Sequence, residues 1–540
     1  MNTIRGQIVD VRNRRIFGGE IAIEGGTIVE IRECEVGEDA PYIMPGFIDS
    51  HVHIESTLMT PRNFARMAVR RGTVAVVTDP HEIANVMGRE GIEYMLKSAG
   101  STRLKFSFGV PSCVPCTDFE TAGARITADD VHEMVVRNEF YGLAEMMNFP
   151  GILFGVDEVV NKVKYTLKAG KVVDGHAPGV TGEDARRYIS AGISTDHEMF
   201  DIGQARERLE MGMKIQIREG SAACNLDDLM PLLGDDRWRG MLMFCTDDKY
   251  PDELDEGYID EMSARCIAKG MPLWNVLTAA TLAPAQHYGM NVGLLGKGDK
   301  ADFIVVRDLK GFDVMATYID GYCVYDGEKD DVVVDENEEK IINNFKAEEL
   351  RDEDIAAVSD HREVKVIEAQ EGQLYTHAGK GIPGVERDIL KIVVYNRYKK
   401  ARPAIGYIKG FGLKRGALAS TIAHDSHNII AVGCSDRDIV KAVNRLVETK
   451  GGFCVADGDR VEDIALPIAG LMSPLRGEEL GRRHNELKAM AGEIGCKFKA
   501  PYMTLAFMAL PVIPELKLID TGLFDGRKFG FTDVMASDIN

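Results

Sequence analysis

Residues 47–56, FIDSHVHIES, carry Asp49, His51, His53 and Glu55 at every second position, just behind the Met-Pro-Gly of residues 44–46. Alternate side chains of an extended strand leave the same face, so these four metal-competent groups are expected to point one way. Imidazole nitrogens and carboxylate oxygens hold divalent cations. The chemistry they would support is hydrolysis, because a bound metal lowers the pKa of water towards about 7. A His-x-His pair alone is equally well explained as a solvated loop edge, and it needs partners elsewhere. Those partners are Glu145, His176, His197 and Asp247, each at the end of a short apolar run. Taken singly, Glu145 reads as a surface acid, His176 as a turn cap and Asp247 as a helix cap. Their joint appearance at equivalent positions makes a metal site, in which a carboxylate can bridge two ions.

The elements that must position these groups recur between residues 43 and 250. Eight short apolar or β-branched runs end in polar residues: IMPGFIDSHVH, GTVAVVTDPHE, LKFSFGVPSC, YGLAEMMN, GKVVDGHAPG, GISTDHEMF, MKIQIREGS and MLMFCTDDKYP. The stretches between them, such as PRNFARMAVRR and ADDVHEMVVRNE, space their apolar residues as helices do. Strands alternating with helices imply parallel pairing, and eight such units predict a closed α/β barrel of the (β/α)8 type. Active sites of that fold lie at the C-terminal strand ends, where the polar residues fall.

The barrel is expected over residues 43–289. The flanks, 1–42 and 290–327, have strand-and-turn character, with turns expected at Gly18-Gly19 and Gly25-Gly26. Neither flank is long enough to bury a core alone, so together they predict one small composite β-sandwich domain. Residues 328–362 are strongly charged and read as a solvated linker. Residues 363–540 mix strands (EVKVIEA, DILKIVVYN, NIIAVG) with amphipathic helices (DRDIVKAVNRLVETKG, GRRHNELKAMAGEIG), which predicts a C-terminal α+β domain. It carries a polar cluster of its own, AHDSHN, with His424, Asp425 and His427.

Bulk properties narrow the partners. Sixty-four Lys and Arg against 85 Asp and Glu give a net charge of −21, which points away from nucleic acid and anionic membranes. The first residues, MNTIRGQIVDVRNRR, lack the apolar core of a signal peptide, and no run approaches a membrane span. Ten scattered cysteines without a framework fit a reducing cytoplasm. Cys113 and Cys116 form a lone C-x-x-C with no second pair to complete a zinc site.

PGFIDSHVH, the later histidines and the strand-eight aspartate resemble the amidohydrolase superfamily of metal-dependent hydrolases. Within it, HVHIEST, DPHEIANV, PSCVPCTDFETAGA, GLAEMMNFPG, DGHAPG, STDHE, REGSAA, TDD and HDSHN resemble the adenine deaminase family across essentially the whole chain. The resemblance implies hydrolysis of adenine to hypoxanthine and ammonia in purine salvage, by a cytoplasmic enzyme. It also implies a two-metal centre loaded with manganese or iron, with zinc as a third option, and a homo-oligomer, expected to be a dimer. Many superfamily members bridge their metals with a carbamylated lysine. Glu145 stands in that place here, and Cys116 departs from the small residue expected of relatives.

On this reading His51, His53 and Asp247 hold one metal, His176 and His197 the other, and Glu145 bridges them. Asp247 is the expected general base, moving a proton from the attacking water to the departing amine. His81, Glu82 and Glu219 are the candidate proton donors to the purine ring. DPHE also has an ordinary reading, with Asp79 capping a helix that begins at Pro80. The C-terminal domain is expected to fold over the barrel mouth and present His424, Asp425 and His427 to the substrate or to an additional metal. The plainer alternative makes that cluster a strand-connecting turn. Two rival functions remain at this level: a hydrolase of the same scaffold acting on another purine or cyclic amide, and a scaffold protein without catalysis.

Overall fold

A computed structural model describes residues 2–356 and 362–536. The chain opens with three antiparallel strands, β1 (Asn2–Asp10), β2 (Arg15–Glu24) and β3 (Thr27–Glu33), followed by β4 (Tyr42–Pro45) parallel to β1. Gly25 and Gly26 both take positive φ, 57° and 78°, as a two-residue hairpin requires. Gly18 and Gly19, expected as a turn, instead lie inside β2. A Cβ on Gly18 would come within 2.6 Å of the Cys34 carbonyl, so glycine there permits a close strand approach.

The eight expected barrel strands follow: β5 (Phe47–Val52), β6 (Thr73–Thr78), β7 (Lys105–Val110), β8 (Phe140–Met146), β9 (Val172–Gly175), β10 (Thr195–Asp196), β11 (Lys214–Arg218) and β12 (Leu242–Cys245). β5 to β9 pair in parallel, and so do β10 to β12. The Ser194 amide donates to Val173 O (2.9 Å) and joins the two sets. On the other side the His53 amide donates to Asp247 O (3.0 Å) and the Asp247 amide to His51 O (2.9 Å), which closes the ring. β6, TVAVVT, is buried at every position because a barrel strand is covered on both faces. Helix Pro61–Arg70 shows how the sequence sets the outer layer. Thr60 accepts the Asn63 amide, Pro61 occupies the first turn, and Phe64, Met67 and Ala68 face inward.

After the barrel, β13 (Phe303–Val306), β14 (Val314–Ile319) and β15 (Tyr322–Tyr325) extend the first sheet to seven strands, in the order β15-β14-β13-β4-β1-β2-β3. The Ile28 amide donates to Asp299 O and the Ala301 amide to Gly26 O, both at 2.9 Å. These bonds fold one end of the sheet against the other over Ile8, Ile21, Ile28 and Phe303. The composite β layer is thus one curled sheet that supplies both faces, and β4 carries it to residue 45.

Residues 328–356 form an anchored strap with no α-helix. Asp330 pairs with Arg66 and Arg70, the Val332 carbonyl accepts from Arg103, and Ile342, Ala347, Leu350 and Ile355 are buried. The rest of the charged segment expected as a linker includes residues 357–361, outside the described residues.

The C-terminal domain is built on β16 (Val364–Glu368), β17 (His377–Gly381), β18 (Ile389–Tyr395), β19 (Ala404–Lys409), β20 (Ala417–Ser420), β21 (Ile429–Gly433), β22 (Gly452–Asp457) and β23 (Arg460–Ala465). They form one sheet in the order β17-β16-β19-β18-β21-β20-β22-β23. Strict alternation sorts its two faces. Ile392, Val394, Leu418, Ile430, Val432, Phe453 and Val455 join the large core shared with the barrel. Val393, Tyr395, Ala419, Ala431 and Cys454 pack under helix Asp436–Thr449. The connection between β20 and β21 therefore lies over the barrel, and it is this connection that contains His424, Asp425 and His427. A small three-stranded antiparallel sheet follows, whose first strand is β24 (Leu516–Ile519).

Candidate active site

His51, His53, Glu145, His176, His197 and Asp247 meet at the C-terminal end of the barrel, and all six are buried. His51 Nε2 and His53 Nε2 are 3.2 Å apart. His53 Nε2 is 3.1 Å from Glu145 Oε1 and 3.0 Å from Asp247 Oδ1, and His51 Nε2 is 3.6 Å from the same Asp247 oxygen. The other Glu145 oxygen, Oε2, lies 2.8 Å from His176 Nδ1 and 3.3 Å from His197 Nε2, and these two nitrogens are 3.3 Å apart. Glu145 thus offers one oxygen to each of two donor sets. Donors that share one cation at about 2.1 Å sit roughly 3–3.5 Å from one another. Glu145 Oε2 is buried and accepts no hydrogen bond despite its two imidazole neighbours. Facing imidazole nitrogens beside an unsatisfied carboxylate oxygen fit divalent cations.

The period-2 face of FIDSHVHIES ends at His53. Asp49 is turned to structural work, accepting from the His51 amide (3.0 Å), Thr246 Oγ1 (2.5 Å) and Tyr258 OH (2.7 Å). Glu55 lies in a 3-10 turn beyond the strand and accepts the Ile83 amide at 3.1 Å. His53 Nδ1 meets the Asp79 carbonyl at 3.1 Å, a contact that orients the ring and leaves Nε2 facing the cluster.

His81 begins helix His81–Met87, and Asp79 does not cap that helix. The Asp79 carboxylate binds His81 Nδ1 at 2.9 Å instead. His81 Nδ1 is also 3.6 Å from Glu145 Oε1, while its Nε2 is 3.9 Å from Asp425 Oδ1, so the ring spans from the barrel cluster to the C-terminal domain. Glu82 is gripped from that domain, with His424 Nδ1 2.8 Å from Oε1 and His427 Nε2 against Oε2. Despite burial, the Glu82 carboxylate raises His424 to about 9. Burial pushes His427 down to about 4 and Asp425 up to about 6. The connection does contain a turn, closed by the His427 amide on Ala423 O at 2.7 Å, but the Asp425 side chain lines the cavity. Met147, Leu374, Phe507 and Leu510 supply apolar walls, and the Phe507 ring stacks on His424 with centroids 5.0 Å apart.

Comparison with known proteins adds to this geometry. Residues 42–324 match the model of the amidohydrolase family, and residues 366–530 match that of the adenine deaminase C-terminal domain. The chain is 49% identical to an adenine deaminase of Methanosarcina barkeri over 554 residues, covering 100% of both chains. It is 47% identical to an adenine deaminase of Methanosarcina mazei over 560 residues, again covering 100% of both. An adenine deaminase of Sulfurovum is 46% identical, over 98% of this chain and 99% of the relative. The chain belongs to the adenine deaminase family. The amidohydrolase family is metal-dependent, and the His, Asp and Glu groups above could hold a metal.

One candidate that the sequence marked in this family member does not reach the cavity. Glu219 turns outward and pairs with Arg265, and its neighbour Arg218 lines the cavity instead. The reason is strand parity. Gln216 of β11 points inward, donating to Ser50 O (2.8 Å) and Tyr288 OH (3.1 Å), so Arg218 two residues on shares that face. Arg218 Nη1 donates to Asp247 Oδ2 and Glu198 Oε1, each at 2.5 Å. Burial opposes ionisation of Asp247, yet Arg218 and His197 hold it well below the usual carboxylate range. Glu198 is 3.5 Å from both His176 Nδ1 and His197 Nε2. Arg218 and Glu198 were not singled out from the sequence, although each adjoins a residue that was. The lone C-x-x-C is also nearby: Cys113 Sγ accepts from Ser112 and the Asn148 amide, and Cys116 is buried beside Asp425.

Proposed function

We propose that the protein converts adenine and water to hypoxanthine and ammonia, as part of purine salvage. The observation that carries this reading is the double donor set sharing Glu145, set across a small apolar slot from the Glu82–His424–Asp425 cluster. Membership of the adenine deaminase family supports adenine as the substrate.

His51, His53 and Asp247 would hold one divalent cation and His176 and His197 a second, with Glu145 between them. Manganese and iron are the favoured ions, and zinc also suits the donors. Bound there, such cations acidify water towards a pKa of about 7. Asp247 takes the proton of the water that attacks C6 and passes it to the amino nitrogen, which leaves as ammonia. Arg218, on Oδ2, keeps the Asp247 carboxylate oriented with Oδ1 towards the reacting atoms. His81 is placed to donate to the purine ring. Against the effect of burial, His424, His427 and His81 hold Glu82 well below the usual carboxylate range, so it is placed to accept from a ring N–H. His424 and Asp425 complete that polar edge. Leu374, Phe507, Leu510 and Met147 exclude water from the slot.

The slot is small and is lined from both the barrel and the C-terminal domain by side chains that are nearly all buried, which suits a free base. Adenine is therefore expected to be deaminated at least ~100-fold more efficiently than adenosine, a discrimination of about 2.7 kcal/mol. Ammonia release from metal-loaded protein measures both. Comparable kcat/KM on the nucleoside would overturn the free-base assignment.

The C-terminal contribution is tested separately. His424→Ala and His427→Ala each remove a partner from the buried Glu82 carboxylate and are expected to lower kcat/KM by about 10–100-fold. Metal content and thermal unfolding should stay close to those of the unmutated protein. Normal turnover in both variants would reduce the cluster to a structural turn.

A further inference from the structure

Lys517, on β24 of the C-terminal domain, is fully buried. Its Nζ donates to two main-chain carbonyls, Leu374 O at 2.5 Å and Phe507 O at 2.9 Å. Leu374 and Phe507 come from segments far apart in sequence, and their side chains form adjoining walls of the slot. Each segment touches the site in a second way. The Gly372 carbonyl, two residues before Leu374, accepts the amide of Ala223 from the barrel. Ala506 O, just before Phe507, accepts the His424 amide at 3.2 Å. One side chain therefore ties together the two main-chain segments that carry the slot's apolar walls.

We propose that Lys517 is a positioning residue for the purine, setting the separation of Leu374 and Phe507 through their carbonyls; this rests on the adenine reading above. An apolar residue would fill the position without the cost of burying an amine. What an apolar residue cannot do is satisfy two converging carbonyls. Burial pushes Lys517 down to about 7, and either protonation state still offers at least two N–H donors for the two acceptors. A planar ring gains from its walls only when both are in contact with it. Loosening the tie should therefore weaken purine binding while leaving the metal-competent groups in place.

The test compares Lys517→Met and Lys517→Gln with the unmutated protein, all metal-loaded, by ammonia release from adenine and by calorimetric binding of hypoxanthine. Lys517→Met is expected to raise KM for adenine and Kd for hypoxanthine about tenfold or more, with kcat within roughly threefold and metal content unchanged. Lys517→Gln keeps an NH2 group with two donors and is expected to recover part of that loss. Unchanged KM and Kd in a folded, metal-loaded Lys517→Met protein would overturn the proposal. So would equal falls in kcat and metal content, or failure of both variants to fold, since each would make Lys517 a support of the fold as a whole. Absence of adenine turnover by the unmutated protein would instead overturn the substrate reading, and the hypoxanthine measurement separates the two failures.

Discussion

Glu145→Gln is expected to lower metal content by about half or more and to reduce kcat/KM on the order of 10³-fold. The glutamine keeps the shape of the side chain but carries no charge. Two cations held by His51, His53 and Asp247 on one side and by His176 and His197 on the other would then face each other poorly screened. The amide nitrogen would also turn hydrogens towards a cation that needs a lone pair. Because Glu145 contacts both sets, with His53 3.1 Å from one oxygen and His176 2.8 Å from the other, the loss should fall on both ions together. Elemental analysis alongside ammonia release checks this. Full occupancy with a near-normal rate would remove Glu145 from the bridge.

The second large effect is expected from Asp247→Asn. The side chain can still offer one oxygen to a metal, but an amide is a very weak base. The main loss, roughly 10³-fold, should therefore appear in kcat with little change in KM. Arg218 keeps its other partner, Glu198, so the variant should remain folded. If kcat stayed within a few-fold of normal, the proton shuttle would have to be reassigned. Asp248 would be the first alternative, since it lines the cavity and accepts from Ser56 Oγ at 2.5 Å.

Much of the architecture was legible in the chain. Barrel strands are covered on both faces, so they appear as short apolar runs, and functional groups gather where those runs stop. His51, His53, Glu145, His176, His197 and Asp247 could each be named from that grammar. Other local signals carried non-local meanings. Gly18-Gly19 has the composition of a turn but serves a close strand contact with the segment at Cys34. The charged run after residue 327 has the composition of a solvated linker, but Asp330 finds Arg66 and Arg70 on a distant helix, and the segment is pinned down.

What the sequence by itself determined was the identity and order of the strand ends, because the alternation and length of apolar runs are local properties. Which neighbour at each strand end turns inward was decided by register. One residue separates Arg218, facing Asp247, from Glu219, facing Arg265, and a one-residue step reverses the face of a strand. Only the tertiary structure could bring AHDSHN to Glu82, across more than three hundred residues of chain. That contact depends on one face of the C-terminal sheet packing against the barrel while the other takes helix Asp436–Thr449. The connection between β20 and β21 reaches the barrel cavity because burying both faces of that sheet leaves it there, and no local pattern in residues 421–428 encodes the distance.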